Sequence, residues 1–527
     1  MKPATKILKQ VRRGVQNVAY GNVLYQKILA SGEVMDRLHF TLPDSWPGDA
    51  QAGLALIAGQ RSMFDSPSAS ALRNMTVSLR NLRAVGTDAA RHMAARLIEE
   101  WLEHHDFWDE IEWSPAILGD RIASWVSFYE FYGSAISPAF TARLTASLQR
   151  QWKHLVRTMP PSLTGLAGLQ ALRGLIYGGL NFEEGEKALG LACDLLQRQL
   201  AAEIRPDGAH ISRNPSTHLH MLRYLADLRA IFKASGLEIP DALRPAIAVM
   251  LPVLKFYRHG DGGLALFHGS REETPLLIDA IITQTEGRSR ILRRLADTGY
   301  ERITAGRSIL IADAGKPPPR MYGKTGHAGL LSFEFGQGRE RLIVNCGAME
   351  SADAEWRAAC AATAAHSTTT IEDTNACELL PTGGATSAAQ VSVQRYEQNG
   401  TQYVDMTHDG YRPGFGITHQ RHLNLSADGE TLQGRDILSG AVGRNFSLRW
   451  HLHPSVQASL AQSGQAALLR TPSGSGWRLR IERGELGLEP SIYCGNGTPR
   501  RSLQLRVSGR TEKDPTELAW TLVREKK

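Results

Sequence analysis

The sequence predicts an α+β protein in which a helical N-terminal part is followed by an antiparallel β-sandwich. Apolar residues recur at helical spacing through the first part of the chain, and short β-rich runs separated by Gly, Asn, Asp and Ser follow after Gly306. A chain of 527 residues is also too long for one hydrophobic core. These observations favour at least two domains, with helices first and sheets second.

The helical pattern is clearest from Asp88 to Trp101. Its apolar positions are Ala90, Met93, Ala94, Leu97, Ile98, Trp101 and Leu102. Charged residues occupy the opposite face, which is typical of an amphipathic helix. The same spacing returns in 189–200 and 219–228, and short breaks such as Pro160-Pro161 separate the segments. Many such helices with short connections suit a bundle, a solenoid or an α/α toroid.

The second part contains short runs of β-branched and large apolar residues. They are 308–312, 330–335, 341–345, 446–452, 477–481, 503–507 and 518–523. Their number and their turn-forming separators predict an antiparallel sandwich. We therefore divide the chain into an N-terminal segment, 1–60, a helical domain, 61–298, and a β-sandwich domain, 299–527.

The composition is that of an ordinary globular protein, with 42% hydrophobic and 21% charged residues. The net charge of +7 and the pI of about 9.1 favour an anionic partner, and nucleic acid, acidic lipid and acidic polysaccharide all fit. The charge is spread along the chain, so a solvated basic surface fits equally well and charge alone does not choose.

The five cysteines do not indicate a disulfide framework. They are Cys193, Cys346, Cys360, Cys377 and Cys494. Their number is odd and none forms a Cys-x-x-Cys pair, which argues against both a disulfide scaffold and a cysteine-ligated zinc site.

The N-terminus is basic, but no apolar core of about 7–15 residues follows it, as a signal peptide requires. No stretch approaches the roughly 20 apolar residues of a membrane span. The sequence by itself therefore predicts a cytoplasmic protein without an integral membrane segment.

Several stretches carry distinctive motifs. The first is Trp113-Ser114-Pro115 with Arg121 and Trp125; the second is 205–218, RPDGAHISRNPSTH; the third is 326–335, GHAGLLSFEF. The segments 341–347, 365–368 and 408–411 follow. Taken in this order, these stretches resemble the heparinase II/III family of polysaccharide lyases. The resemblance spans about Trp113 to Tyr411 and implies an α/α toroid followed by an antiparallel β-sandwich. It also implies that 205–218 lines the toroid's groove, and it offers the periplasm or cell envelope as an alternative location.

The family cleaves uronate polymers by β-elimination, in which a base removes the C5 proton and an acid protonates the leaving oxygen. The resemblance therefore implies an acidic polysaccharide or oligosaccharide as partner, and not nucleic acid. This sequence departs from the family at the reacting positions. Thr217 stands where the family has Tyr, Leu166-Ala167 where it has Asn-His, and Thr325 where it has the first His of His-x-His.

Other polar residues remain in the matching segments. We predict His210, His218, His408 and Tyr411 as catalytic groups and Asp207, Arg213, Thr217 and Asp409 as substrate-binding groups. Arg213 suits a bidentate contact with a uronate or sulfate, and the histidines titrate near neutrality. The open alternatives are a structural Arg213–Asp207 ion pair, histidines that cap or pack, and a purely structural turn at 408–411.

A metal site is the remaining candidate. By resemblance to the zinc-bearing relatives, the ligands are His327, Asn345 and His366. Asn345 replaces an Asp, and a neutral amide is a weak zinc ligand, so we expect no bound cofactor and at most weak zinc binding. A metal-free hydrogen-bond cluster of the same three residues is the alternative.

The sequence thus predicts a polysaccharide lyase acting by β-elimination on an acidic, uronate-containing glycan. The alternative is a catalytically degenerate glycan-binding or cell-envelope-associated protein. The sequence predicts no oligomeric state.

Overall fold

The computed structural model describes residues 16, 18–33, 35, 37–59, 75–160, 163–285, 289–349, 353–381, 384–512 and 515–525. The basic N-terminal residues, on which the prediction about a signal peptide rests, lie outside these ranges. The α-helices are α1 Val23–Leu29, α2 Ala50–Ile57, α3 Met75–Val85, α4 Asp88–His105, α5 Pro115–Ser127, α6 Tyr129–Tyr132, α7 Pro138–Thr158, α8 Gly165–Gly179, α9 Gly185–Glu203, α10 Pro215–Ser235, α11 Leu243–Phe256, α12 Pro275–Gln284, α13 Ala354–Ala361 and α14 Arg412–Phe415.

Among the residues that the structure describes, the strands all lie in the second part of the chain. They are β1 Arg294–Leu295, β2 Tyr300–Ala305, β3 Ser308–Asp313, β4 Phe333–Gln337, β5 Glu340–Val344, β6 Thr369–Ile371, β7 Glu378–Leu379, β8 Ala385–Thr386, β9 Val391–Gln398, β10 Thr401–His408, β11 Ile417–Leu425, β12 Thr431–Gly440, β13 Asn445–Leu452, β14 Gln457–Ala461, β15 Ala466–Arg470, β16 Gly476–Ile481, β17 Leu486–Tyr493, β18 Arg500–Arg510 and β19 Thr516–Arg524.

The chain divides into two compact units. The first comprises 1–202 and 223–247, and the second comprises 203–222 and 248–527. The second unit thus includes the 205–218 segment. The domain boundaries drawn from the sequence, at 60/61 and 298/299, stay predictions.

Helix α4 shows why the first unit is helical. The Thr87 hydroxyl accepts a hydrogen bond from the Ala90 N–H and so caps the helix, and Asp88 places a negative charge in the first turn. The apolar face predicted from the sequence is buried, with Ile98 and Trp101 fully inaccessible. The predicted helix is confirmed.

Close backbone approach determines how α5 packs on α8. Gly119 lies on α5 and Gly174 on α8, and a Cβ added at Gly174 would lie 2.3 Å from the Gly119 Cα. A Cβ at Gly119 would lie 2.3 Å from the Gln170 carbonyl oxygen. Only residues without a side chain fit at this crossing.

The strands form two large antiparallel sheets, and all strand pairs of the described residues are antiparallel. One has the order β1-β2-β3-β4-β5-β13-β18-β17, with β6 paired to β13; the other has the order β14-β15-β16-β19-β12-β11-β10-β9. The predicted strands are confirmed, with shifted ends. The run 330–335 begins as a strand only at Phe333, because Leu331 has a positive φ of 56° that turns the chain.

The two large sheets share one hydrophobic core. Trp520 on β19 stacks on Phe333 of β4 at 5.7 Å and meets Trp450 of β13 edge-on at 5.4 Å between ring centroids. Gly434, the neighbour of Trp520 on β12, leaves room for the indole, since a Cβ there would lie 2.1 Å from the ring. The core therefore depends on one large aromatic side chain that joins both sheets.

Among the described residues, none of the helices combines the length and the apolar character that crossing a bilayer requires.

Gly119→Ala should destabilise the helical unit by about 1–3 kcal/mol, because its methyl group overpacks the α5–α8 crossing. The measurement is the free energy of unfolding in urea. Gly190→Ala is the matched control, because Gly190 is an exposed glycine of α9 with nothing within 4 Å of an added Cβ. The control should leave stability unchanged or raise it by up to about 1 kcal/mol. Equal effects of the two changes would show that the crossing is not tightly packed.

Candidate functional site

The segment 205–218 forms a turn between α9 and α10. The backbone N–H of Arg205 donates to the Ala209 carbonyl at 2.9 Å, and Gly208 supplies the positive φ of 84° that the turn needs. Asp207 anchors the turn to a second loop, because one carboxylate oxygen accepts from the N–H groups of Asp297 and Thr298 at 2.9 and 2.8 Å. Its carboxylate is thus directed at backbone donors.

Arg213 lies at the centre of the site. Its guanidinium donates to the carbonyl oxygens of Thr298 and Lys316, both at 2.6 Å, and to the carboxylate of Asp313 at 2.5 Å. It also lies over the Tyr300 ring, 4.6 Å from the centroid. Arg213 is only 4% exposed, so the ion pair is buried. The alternative of an Arg213–Asp207 ion pair is wrong, because the partner is Asp313, which is distant in sequence.

Strain accompanies this pair. Arg213 has a φ of 57° and its neighbour His268 a φ of 49°, in the left-handed region that side chains other than glycine rarely adopt. Such a conformation persists only where the surrounding contacts determine it. Gly315 belongs to the same packing, since a Cβ there would lie 2.6 Å from an Arg213 nitrogen.

Asp313 and three histidines form a chain of polar contacts. The His327 backbone N–H donates to His268 Nδ1 at 3.0 Å, and His268 Nε2 lies 3.0 Å from the Asp313 carboxylate and 2.8 Å from an Arg213 guanidinium nitrogen. His366 Nδ1 donates to the Ala362 carbonyl at 2.8 Å, so its Nε2 accepts from His327 Nδ1 at 3.1 Å. The order is therefore Asp313, His268, His327 and His366.

The chain is uncharged at its histidines. Burial, with the neighbouring His366 and His268, lowers the pKa of His327 well below its usual range, and burial lowers the pKa of His366 to about 4. Burial alone would raise the pKa of Asp313, but the charge of Arg213 and the contact with His268 lower it to about 2. Arg213 and Asp313 thus carry the charges near neutral pH.

The three predicted metal ligands are placed as follows. His327 and His366 contact each other, whereas Asn345 accepts from the Ser367 N–H at 3.0 Å and directs its amide nitrogen to Glu334 at 3.4 Å. Both nitrogens of His366 are already in hydrogen bonds. The described residues contain no group of three or more His, Cys, Asp and Glu side chains placed to hold a metal ion. The arrangement does not fit a zinc site, and zinc binding stays an untested prediction.

The other predicted catalytic histidines are also buried. His218 donates from Nε2 to the Met250 carbonyl at 2.9 Å, and burial lowers its pKa to about 3. His210 contacts the Ser212 hydroxyl at 2.7 Å and the Glu203 carboxylate at 3.2 Å. Thr217 is partly buried, and its backbone N–H donates to the Asn214 side chain at 2.9 Å.

His408, Asp409 and Tyr411 lie in the sandwich. The Gly410 N–H donates to His408 Nδ1 at 3.0 Å, so His408 donates from Nε2 to His419 at 3.3 Å. The Tyr411 hydroxyl donates to the Thr369 carbonyl at 2.9 Å. Among the described residues, no hydrogen bond or ring contact joins this group to His210 or Arg213. The structure therefore shows no contact between these two groups of predicted site residues.

A cavity of about 690 Å³ opens beside Arg213, entirely within the second unit. Its charged lining residues are Arg205, Arg213, Arg294, Asp297 and Lys316. Arg294 is paired with Glu301 at 2.9 Å, and Lys316 donates to the Gln390 side chain at 2.6 Å. The guanidinium of Arg205 makes no ion pair or side-chain hydrogen bond within the part of the chain that the structure describes. The cavity therefore offers an available positive charge.

A second cavity of about 630 Å³ adjoins the first, because both are lined by Thr386 and Ser387. Asp409 lies in its wall. The fold thus places Arg213 and Asp409 along two neighbouring cavities, although their side chains do not meet. The sequence did not indicate Arg294 and Lys316, because Arg294 lies on β1, Lys316 lies in the loop after β3, and neither belongs to a motif.

The comparisons with known proteins agree with this architecture. Residues 287–521 match the family described as Heparinase II/III-like, C-terminal. The FtsZ-localized protein C of Caulobacter vibrioides (strain NA1000 / CB15N) is 31% identical over 489 residues, which cover 88% of this chain and 83% of that protein.

Three solved structures are similar in fold. Heparinase III has a TM-score of 0.72 at 13% identity, covering 99% of this chain and 92% of that one. The heparan sulfate lyase HepC from Pedobacter heparinus has a TM-score of 0.62 at 15% identity, covering 100% and 91%. The chondroitin AC lyase of Streptomyces coelicolor A3 has a TM-score of 0.52 at 12% identity, covering 98% and 83%.

The fold is therefore an α/α toroid followed by an antiparallel β-sandwich, as the sequence predicts. The chain belongs to the heparinase II/III-like family, whose members include polysaccharide lyases.

Asp313→Asn should destabilise the protein by about 3–5 kcal/mol, because it leaves the buried Arg213 charge without its counter-ion. The measurement is the free energy of unfolding in urea at neutral pH. Asp297→Asn is the matched control: Asp297 lines the same cavity but is exposed, so its change should stay within about 0.5 kcal/mol. A loss below about 1 kcal/mol for Asp313→Asn would mean that the pair is not the buried anchor of the site.

Proposed function

We propose that this chain binds an acidic glycan without cleaving it, and that it does so at the site of cell division. The observation that carries the first part is the state of the polar residues in and around 205–218. Their hydrogen bonds go to other parts of the protein, and their histidines are buried. In this proposal the fold of the polysaccharide lyases serves to bind the glycan and not to cleave it.

β-Elimination requires a group that takes the C5 proton and a group that returns a proton to the leaving oxygen. The hydroxyl of Thr217 cannot titrate usefully near neutral pH, in contrast to the family's tyrosine. His218 holds its proton against the Met250 carbonyl, and its pKa of about 3 makes it a poor base. Tyr411 donates its hydroxyl proton to a backbone carbonyl, and burial raises its pKa above the usual value. These states support binding without elimination.

Binding requires charge that is accessible to a carboxylate or sulfate. Arg205 is exposed and available, and Lys316 lies in the same cavity wall. The guanidinium of Arg205 can form paired hydrogen bonds with either anion. Arg213 and Asp207 act indirectly here, because they fix the loops that carry Arg205, Asp297 and Lys316.

The location rests on the relative from Caulobacter. Its name states that it is FtsZ-localized, and this chain covers 83% of it at 31% identity. A shared position at FtsZ structures is consistent with a protein that contacts a cell-envelope glycan during division. The second part of the proposal is thus independent of the site chemistry.

Incubation with a panel of uronate polymers should give binding but no rise in the ultraviolet absorbance of an unsaturated product. Heparinase III serves as the active control. Arg205→Ala should weaken binding of uronate oligomers roughly three- to fivefold, equivalent to about 1 kcal/mol, and the difference should shrink at high salt. Affinity is measured by calorimetry.

Arg339→Ala is the matched control, because Arg339 is an exposed arginine at the β4–β5 turn, outside the lining of both cavities. Its affinity should equal that of the unchanged protein. Formation of unsaturated uronate would contradict the absence of elimination. If Arg205→Ala and Arg339→Ala lost equal affinity for uronate oligomers, the loss would be an effect of net charge. That result would overturn the assignment of glycan binding to this cavity.

A fluorescent fusion of this chain should form a band at the division site that coincides with FtsZ of the same organism. Depletion of FtsZ should disperse the band within one generation, since the proposed position depends on FtsZ structures. The measurement is fluorescence microscopy of both proteins. A fusion that remains evenly distributed while FtsZ bands are present would refute the proposed location.

A further inference from the structure

One face of the second large sheet is accessible to solvent along β9, β10, β11 and β12. Residues in these strands alternate between less and more accessible positions, as they do in an antiparallel sheet with one covered face. β9 is the last strand of this sheet within the described part of the chain, and its outward residues Ser392, Gln394 and Tyr396 are exposed. We call this accessible side of the four strands the outer face.

Two tyrosines form a stacked pair on the outer face. Tyr396 and Tyr403 are directly opposite each other on β9 and β10, and their rings are nearly parallel, with 5° between the planes and 4.7 Å between the centroids. Tyr403 covers one side of the Tyr396 ring, yet Tyr396 is 47% exposed. A tyrosine held in this way offers a flat and rigid surface to a ligand, because little side-chain entropy is lost on contact.

Planar polar side chains surround the tyrosine pair. Two neighbouring rows of side chains cross the four strands, and they consist of Tyr396, Tyr403, Asn424 and Gln433 in one row and Gln394, Asp405, His422 and Arg435 in the other. Their amide, carboxylate and imidazole groups supply both hydrogen-bond donors and hydrogen-bond acceptors. The stacked rings therefore lie within a surface that suits a ligand with many hydroxyl groups.

The charged groups of the two rows have partners of opposite sign or acceptor character. The Asp405 carboxylate lies 2.7 Å from His422 Nδ1, and the Arg435 guanidinium lies 3.8 Å from the Glu517 carboxylate on β19. The other members of the rows are tyrosines and amides. The outer face thus differs from the cavity at Arg205, and its charge balance favours an uncharged partner.

We propose that the outer face binds an uncharged saccharide, with one pyranose ring stacked on Tyr396. In a pyranose with equatorial hydroxyls, such as β-linked glucose or N-acetylglucosamine, the axial C–H groups lie on the ring faces and the hydroxyls lie at the rim. The slightly positive C–H groups meet the negative face of the tyrosine ring. The hydroxyls at the rim are then presented to the surrounding amide and carboxylate groups.

The saccharide site is next to the cavity of the proposed glycan binding. Residues 391–393, at the start of β9, line that cavity. Tyr396 is four residues along the extended strand from Ser392, a distance of about 13 Å. A glycan with acidic and uncharged units can therefore extend from Arg205 along β9 to Tyr396. This extension rests on the proposed function, whereas the saccharide site at Tyr396 does not.

The test measures binding of two uncharged hexasaccharides, cellohexaose and N-acetylchitohexaose, to the full-length chain. Affinity is measured by calorimetry, and saturation-transfer NMR identifies the sugar protons that contact the protein. At least one hexasaccharide should bind, with the strongest saturation at C–H protons of the ring faces. Tyr396→Ala should weaken this binding about fivefold, the order of magnitude of one aromatic stacking contact, and Tyr396→Phe should retain the affinity within about twofold.

Phe107→Ala is the matched control, because Phe107 is an aromatic side chain of the first unit with 69% exposure. It should leave hexasaccharide binding unchanged. Arg205→Ala should also leave hexasaccharide binding unchanged while it weakens the binding of uronate oligomers. Failure of the saccharide site and failure of the proposed acidic-glycan binding are therefore distinguishable.

Three outcomes would overturn the saccharide site. The first is that neither hexasaccharide binds the unchanged protein. The second is that Tyr396→Ala lowers only the free energy of unfolding and keeps the affinity, since the tyrosine pair is then a structural contact between β9 and β10. The third is a dimer in analytical ultracentrifugation that Tyr396→Ala dissociates, which would assign the outer face to a second copy of this chain.

Discussion

The buried ion pair between Arg213 and Asp313 is the contact on which the second unit's polar interior depends. A guanidinium inside a protein is tolerated only when a counter-ion and acceptors surround it. Here the acceptors are carbonyl groups of the two loops that follow β1 and β3, so one side chain fixes both loops and the turn that carries it. The positive φ of Arg213 indicates that these contacts outweigh the local backbone preference.

This anchoring has a chemical consequence. Asp313 and the backbone N–H of His327 hold the two ring nitrogens of His268, and the carbonyl of Ala362 orients His366, which contacts His327. Each imidazole is buried, neutral and already hydrogen-bonded. A proton-transfer group must exchange its proton with substrate, and a structural group must keep it in place. The interior histidines of this chain meet the second requirement, which supports the proposed binding without elimination.

Much of the fold and part of the site follow from the sequence. The helices and strands follow from residue spacing and composition, as the buried face of α4 and the predicted runs that form β3 and β19 illustrate. The 205–218 segment does reach a cavity wall, and His327 does contact His366. The alternative that pairs Arg213 with Asp207 is wrong, because Asp207 and Asp313 are equally acidic in the sequence and only the folded loops distinguish them. Asn345 likewise hydrogen-bonds to the Ser367 backbone and the Glu334 side chain, and no sequence motif indicates these partners.

The sequence by itself determined the family and the order of helices before sheets, and its resemblance to the family predicts the loss of the reacting side chains at Thr217, Thr325 and Leu166-Ala167. Those properties depend on residue identity and on short-range periodicity. The tertiary structure alone decided which charges pair, which histidines lose their charge and which arginine stays available. Each of these depends on distance and burial between residues far apart in the chain, because electrostatic and hydrogen-bond energies are set by position in the folded protein.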